Sequence, residues 1–177
     1  IVAGVAAVGA AAYSYSTTSH SITDVAAFLG LLVGMVVAER FPVPVEGVDA
    51  GGVTLGFVFA VAGTLLFGWR AGVMMSAAAP AVTHLVGHRP PLRIAYNASM
   101  FALAALAGGL AITPFSQNTV VGLLARVIIC AFIYNWVVNL VLVTAVLSLT
   151  SGKPFLELMT GNARQTTAPF ALMTSAA

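Results

Sequence analysis

Charge is what this sequence has least of. Only 7% of its 177 residues are Asp, Glu, Lys or Arg, against a hydrophobic share of 60% and a mean hydropathy of +1.02. Soluble domains carry roughly a quarter charged residues, so a water-facing fold would lack the polar surface to cover itself. Lipid as the outer solvent removes the conflict. A net charge of +2, with its cations scattered among loops, excludes an electrostatic footprint for nucleic acid. The cations instead fit topology determinants. A single cysteine, Cys130, in the middle of an apolar run, excludes a disulfide framework and reads as a small core residue. Also missing are a nucleophile elbow, a phosphate-binding glycine loop and a pair of carboxylates at catalytic spacing. Gly51-Gly52 is too short a signal for phosphate, and Glu39, Glu46 and Asp49 are expected to solvate a loop. Neither an enzyme nor a cofactor is expected.

What is present is a series of apolar runs punctuated by Pro, Gly and charge, the pattern of an all-α polytopic transmembrane bundle. Residues 1–177 read as one transmembrane domain of about six spanning helices plus the start of a seventh. Ile1–Tyr13 reads as the remainder of a first helix and Pro169 opens another apolar run, so the chain is expected to continue past both ends. Asp24 is placed to cap a second helix ending near Phe41, along which Ala26, Gly30, Gly34 and Ala38 form a flat stripe. Residues 43–54 suggest an irregular loop or short hairpin. A third helix is expected over 55–67, a tight turn at Gly68-Trp69-Arg70, and a fourth helix over 71–86 kinked at Pro80. The fifth helix carries a seam of Ala95, Ala98, Ala102, Ala105 and Gly109. Thr113-Pro114 stops it. The next apolar stretch, 118–150, is far longer than the ~20 residues a bilayer needs. It predicts either one tilted helix or an interfacial turn before a span starting near Arg126. Gly152-Lys153-Pro154 ends it, and a polar connector over about 151–167 is expected along the membrane surface.

The most organised polar stretch is His84 to Asn97, HLVGHRPPLRIAYN, a hinge between two apolar runs. Gly87 can end one helix, and Pro90-Pro91 can open the next. Placing the amino end in the cytoplasm puts Arg40, Arg89, Arg93, Lys153 and Arg164 inside and Arg70 outside, so His84, Arg89 and Arg93 mark a cytoplasmic hinge. His84 and His88 have the spacing of two metal ligands on a helix. No third ligand stands near, and no metal site is expected. His20 is a loop residue.

Inside the apolar runs, Asn135 and Asn139 stand one helical turn apart in FIYNWVVNL. Amides at membrane depth need partners and face the bundle interior. Two readings follow: interhelical hydrogen bonds, with Asn97 as one partner, or a ligand pocket lined by Asn97, Asn135 and Asn139 with Tyr96, Tyr134 or Trp136.

Three stretches, AERFPVPVEGVDAGGVTLGFVFAVAGTLLFG, VGHRPPLRIAYNASMFALAALAGGL and FIYNWVVNLVLVTAVLSLTSGKPFLELM, resemble the membrane-embedded amino-terminal module of bacterial GGDEF diguanylate cyclases and HD-GYP phosphodiesterases. The shared markers are a helix ended by an acid and proline, an RPP-type hinge leading to an Asn, and an Asn-bearing helix stopped by Gly-Lys-Pro. The resemblance implies a sensory or input module in the bacterial inner membrane that regulates a cytoplasmic cyclic-di-GMP domain. It carries over no catalytic residue, because no GGDEF or HD-GYP motif is present. The Ala/Gly-rich layout is also similar to the substrate-binding S component of energy-coupling-factor transporters, and an accessory subunit of a larger membrane complex is a further reading. The expected partners are the lipid bilayer, a small-molecule ligand, and a second copy or partner membrane helices.

Overall fold

The computed structural model describes residues 1–41, 55–161 and 163, apart from the side chains of Val138 and Asn139. Its elements are α1 (Val2–Ser16), α2 (Ile22–Arg40), α3 (Gly56–Val86), α4 (Pro91–Ala111), α5 (Val120–Asn135), a π-helical segment (Trp136–Leu142) and α6 (Val143–Ser151). No strand occurs among the described residues. The expected all-α class holds. The loop or hairpin at 43–54 and the seventh helix from Pro169 lie outside the described residues, as does most of the connector's second half. Its described part includes a helical stretch over 155–161.

Among the described residues four stretches are long and apolar enough to cross a membrane: Ile22–Arg40, Gly56–Val86, Pro91–Ala111 and Val120–Ser151. The expected count of about six is not reached by this measure. One reason is that α1 has only 15 residues, about 22 Å of helix at 1.5 Å per residue against a hydrocarbon core of about 30 Å. The other is that α3 is a single stretch only by bookkeeping. Gly68 breaks it with φ 81° and ψ 172°, a backbone region essentially closed to residues with a side chain. Across that break the chain folds back. Gly63 meets the Met75 side chain, and Gly72 meets Thr64. In a straight helix Thr64 and Gly72 would stand about 12 Å apart. The arms 56–67 and 69–86 therefore run antiparallel. The turn expected at Gly68-Trp69-Arg70 is present, while helical dihedrals run on through Pro80.

Local chemistry explains the other boundaries. α2 starts in a capping box. Ser21 Oγ accepts from the Asp24 backbone N–H at 3.1 Å, and Asp24 Oδ2 accepts from the Ser21 N–H at 3.2 Å. Asp24 is thus the third helical residue, and Ser21 is the N-cap. Pro91 opens α4 at its first position, where a missing N–H costs nothing. Thr119 caps α5 through its hydroxyl, and Gly152 ends α6. The run over 118–150 resolves as one continuous helical path rather than a turn and a shorter span.

Small residues set the packing distance. Without a hydrophobic force between helices in lipid, association depends on close contact. The α3–α4 pair is the centre of the bundle: α1 and α5 pack on both, while α2 lies against α3. Ala102, Ala105 and Gly109 of the expected seam are buried, and Gly109 lies directly against Trp69. Gly108, on the adjoining side of α4, meets the backbone of Cys130. The α2 stripe is used differently from its expected role as a bed for a helix backbone. Gly34 receives the ring of Phe59, and nothing approaches Gly30. Met35 is the buried residue of α2, and it joins Val73, Met75, Met100, Tyr134 and a set of alanines in the main core. Outward-facing Val33, Leu66 and Leu149 are exposed, as lipid-facing side chains would be.

Candidate functional site

α5 and its continuation run antiparallel to α4. Gly108 meets Cys130, the Phe101 and Tyr134 rings lie 6.2 Å apart, and the Tyr96 hydroxyl donates to the Leu142 carbonyl at 3.1 Å. Between these rungs lies the most polar part of the interior. Tyr134, only 2% exposed, is held edge-on by Phe57 at 5.6 Å and donates to Ser76 Oγ at 3.4 Å. Ser76 is fully buried. Pro80, four residues further along α3, has no N–H for the Ser76 carbonyl. Asn135 is buried at 6% exposure and Thr144 completely, and both are engaged by neighbours.

The helix changes character at this level. From Trp136 to Leu142 it opens into π geometry before closing again as α6. Such wide turns are rare and are frequently found at functional sites. Tyr96 bonds the last carbonyl of the segment. WVVNLVL contains neither glycine nor proline, so no local signal announced the change.

Glu39 is the residue that sequence reasoning misplaced. Expected to solvate a loop, it is half-buried at the end of α2. Its carboxylate fills the place where a Gly56 side chain would be, beside the positive end of α3. It stands next to Phe57, whose ring packs on Tyr134. A signal existed: Phe28, Leu32, Met35 and Glu39 recur at helical spacing, and the first three belong to the core. The acid continues that inward face.

The hinge groups form a separate site. Asn97 Nδ2 and His84 Nε2 are 2.7 Å apart, joining α4 to α3. Asn97 is thus partnered by His84 rather than by Asn135, and Tyr96 and Tyr134 reach different carbonyl and hydroxyl partners. The structure brings Tyr134 together with Ser76, and the Glu39 carboxylate stands at Gly56, next to the Phe57 that packs on Tyr134. Asn139's side chain lies outside the described residues. α3 ends at Gly87 as expected, but the left-handed residue is His88, with φ 51°. The Arg89 N–H bonds the His84 carbonyl and the His88 N–H bonds the Leu85 carbonyl, each at 3.0 Å. These are the paired closing bonds of a Schellman turn, with histidine where glycine is usual. Among the described residues no group of three His, Cys, Asp or Glu side chains gathers as a metal site.

No protein-family model, curated protein or solved structure matches the chain. The chemistry of the interior is then the guide to its use. A phenol, an amide, hydroxyls and one carboxylate supply donors and acceptors without a base positioned on a nucleophile. Such a set can orient a polar group or hold a proton. The adjoining π segment gives it a way to change the helix that bears it.

Proposed function

We propose that the chain is a membrane-embedded sensory module of the bacterial inner membrane, regulating a cytoplasmic cyclic-di-GMP domain. The observation that carries this reading is the π segment Trp136–Leu142 placed between the buried Tyr134–Asn135 pair and the Tyr96 clamp on Leu142. A small amphipathic ligand reaching the seam, or a change in the bilayer, acts through its different affinity for two helix states. Expelling one residue from π to α geometry turns everything beyond it by about 100° and shifts it about 1.5 Å. α6 and Gly152–Pro154 carry that motion toward the carboxy end. Six passes are part of the same proposal, with α1, the two arms of α3 and the three longer helical paths alternating direction. That alternation is supported by the fold-back at Gly68 and by the cations at positions 40, 89, 93 and 153.

The test is the output of the full-length protein encoded by the gene. A GGDEF or HD-GYP domain in its reading frame is expected, with cyclic-di-GMP turnover changed severalfold by Asn135→Leu and by Tyr96→Phe. Turnover unaffected by both substitutions would make these groups structural only. A reading frame with no signalling domain, together with a small molecule copurifying in the seam, would instead favour a transporter S component. A chain that can be isolated only with partner proteins would favour an accessory subunit.

A further inference from the structure

The α3–α4 turn concentrates exposed positive charge at one end of two apolar helices. Arg89, Arg93 and His88 are exposed, and both guanidiniums stand close enough to His84 for their charge to be felt there. Neither arginine side chain has an acidic partner among the described residues. The His84 and Leu85 carbonyls accept the closing bonds of the Schellman turn, and no side-chain hydrogen bond of either arginine is seen among the described residues. α4 begins here with no side-chain cap, so its positive end adds to the same field. The residues next to these cations are apolar and equally open: Leu85 is 66% exposed, Val86 64% and Leu92 72%. Cations bordered by exposed aliphatic side chains match a molecule that is anionic at its head and hydrocarbon below.

We infer that the α3–α4 turn binds the phosphate of an anionic phospholipid, held by Arg89 and Arg93, with the acyl chains lying on Leu85, Val86 and Leu92. Charge complementarity decides the class, and the aliphatic border decides the source, since a free phosphate gains nothing from three exposed aliphatic side chains. The site stands apart from the Tyr134–Asn135 seam and is independent of the sensory role. His84 and Asn97, bonded to each other, join the two helices at this end and so hold together the backbones that carry the two arginines.

The test is native mass spectrometry of the purified chain in detergent, titrated with phosphatidylglycerol or phosphatidylcholine. Wild type is expected to retain phosphatidylglycerol preferentially. Arg89→Gln and Arg93→Gln are each expected to weaken it about fivefold, and the double variant about thirtyfold. Arg126→Gln, on a different helix, is expected to change nothing. Arg89→Lys/Arg93→Lys keeps both charges and should keep most of the preference. Millimolar inorganic phosphate should not displace the lipid. Equal retention of both lipids, insensitivity to the Gln variants, or displacement by inorganic phosphate would each overturn the assignment. Should the double Gln variant fail to fold, the two single variants and the Lys pair decide. A Lys pair as weak as the Gln singles combined would equally refute charge complementarity.

Discussion

Gly109→Ala tests the centre of the bundle most directly. A methyl group at this position would lie 2.9 Å from Trp69 Cα, closer still to Trp69 Cβ, and 3.2 Å from Thr64 Cγ2. Favourable carbon contacts need about 3.5–4.0 Å, so α3 and α4 must part by roughly 1 Å. Two of the three contacts are Cα and Cβ atoms that no rotamer change can move. The cost therefore falls at the upper end for overpacking, about 3 kcal/mol. Alanine returns up to about 1 kcal/mol of helix propensity, leaving a net loss of about 2 kcal/mol. Gly30→Ala is the matched control, because nothing approaches that position. It should be neutral or stabilising by up to about 1 kcal/mol. Gly108→Ala falls between them, since its nearest neighbours are Cys130 O at 3.1 Å and Sγ at 3.2 Å. Reversible unfolding in mixed micelles measures all three. If Gly109→Ala and Gly30→Ala agree within about 0.5 kcal/mol, the close α3–α4 approach is wrong and the packing argument fails with it.

Two further outcomes follow from the geometry. The His84–Asn97 pair should show a coupling of about 0.6–2 kcal/mol in a double-mutant cycle with His84→Ala and Asn97→Ala, whereas strict additivity would mean the 2.7 Å contact contributes nothing. In a Cys130→Ala background, Arg89→Cys and Lys153→Cys should be protected from an impermeant thiol reagent in intact cells and Ser116→Cys labelled. The reverse pattern would mean the cation distribution does not set orientation.

The residues brought together around Tyr134 show where sequence reading reached its end. FIYNWVVNL announced polar groups at membrane depth, because an amide there must face protein. It did not announce their partners. The sequence offers Asn135 as one partner for Asn97, whereas the antiparallel pairing of α3 and α4 delivers His84 to it. Glu39, with Glu46 and Asp49, reads from sequence as an acid solvating a loop. Its helical spacing from Met35 mattered more, and so did an N-terminal glycine of α3 that leaves the carboxylate room.

By itself the sequence determined that this is an all-α membrane chain, because 60% hydrophobic residues with 7% charged ones admit no other solvent. It also determined most helix limits, because Pro, Gly and capping side chains act on their own few residues. The fold-back at Gly68 belongs partly to the same level, since only glycine adopts that backbone, though the close contact of Thr64 with Gly72 needed both arms in place. Tertiary structure alone decided the rest. The π segment in WVVNLVL has no breaker residue, so nothing local marks it, and its partner in the bundle is α4. The pairing of Tyr134 with Ser76, 58 residues apart, and the seating of the Glu39 carboxylate at Gly56 likewise exist only once the helices have packed. Hydrogen bonds and charges act over a few ångströms of space, and only the folded chain fixes which residues share those ångströms.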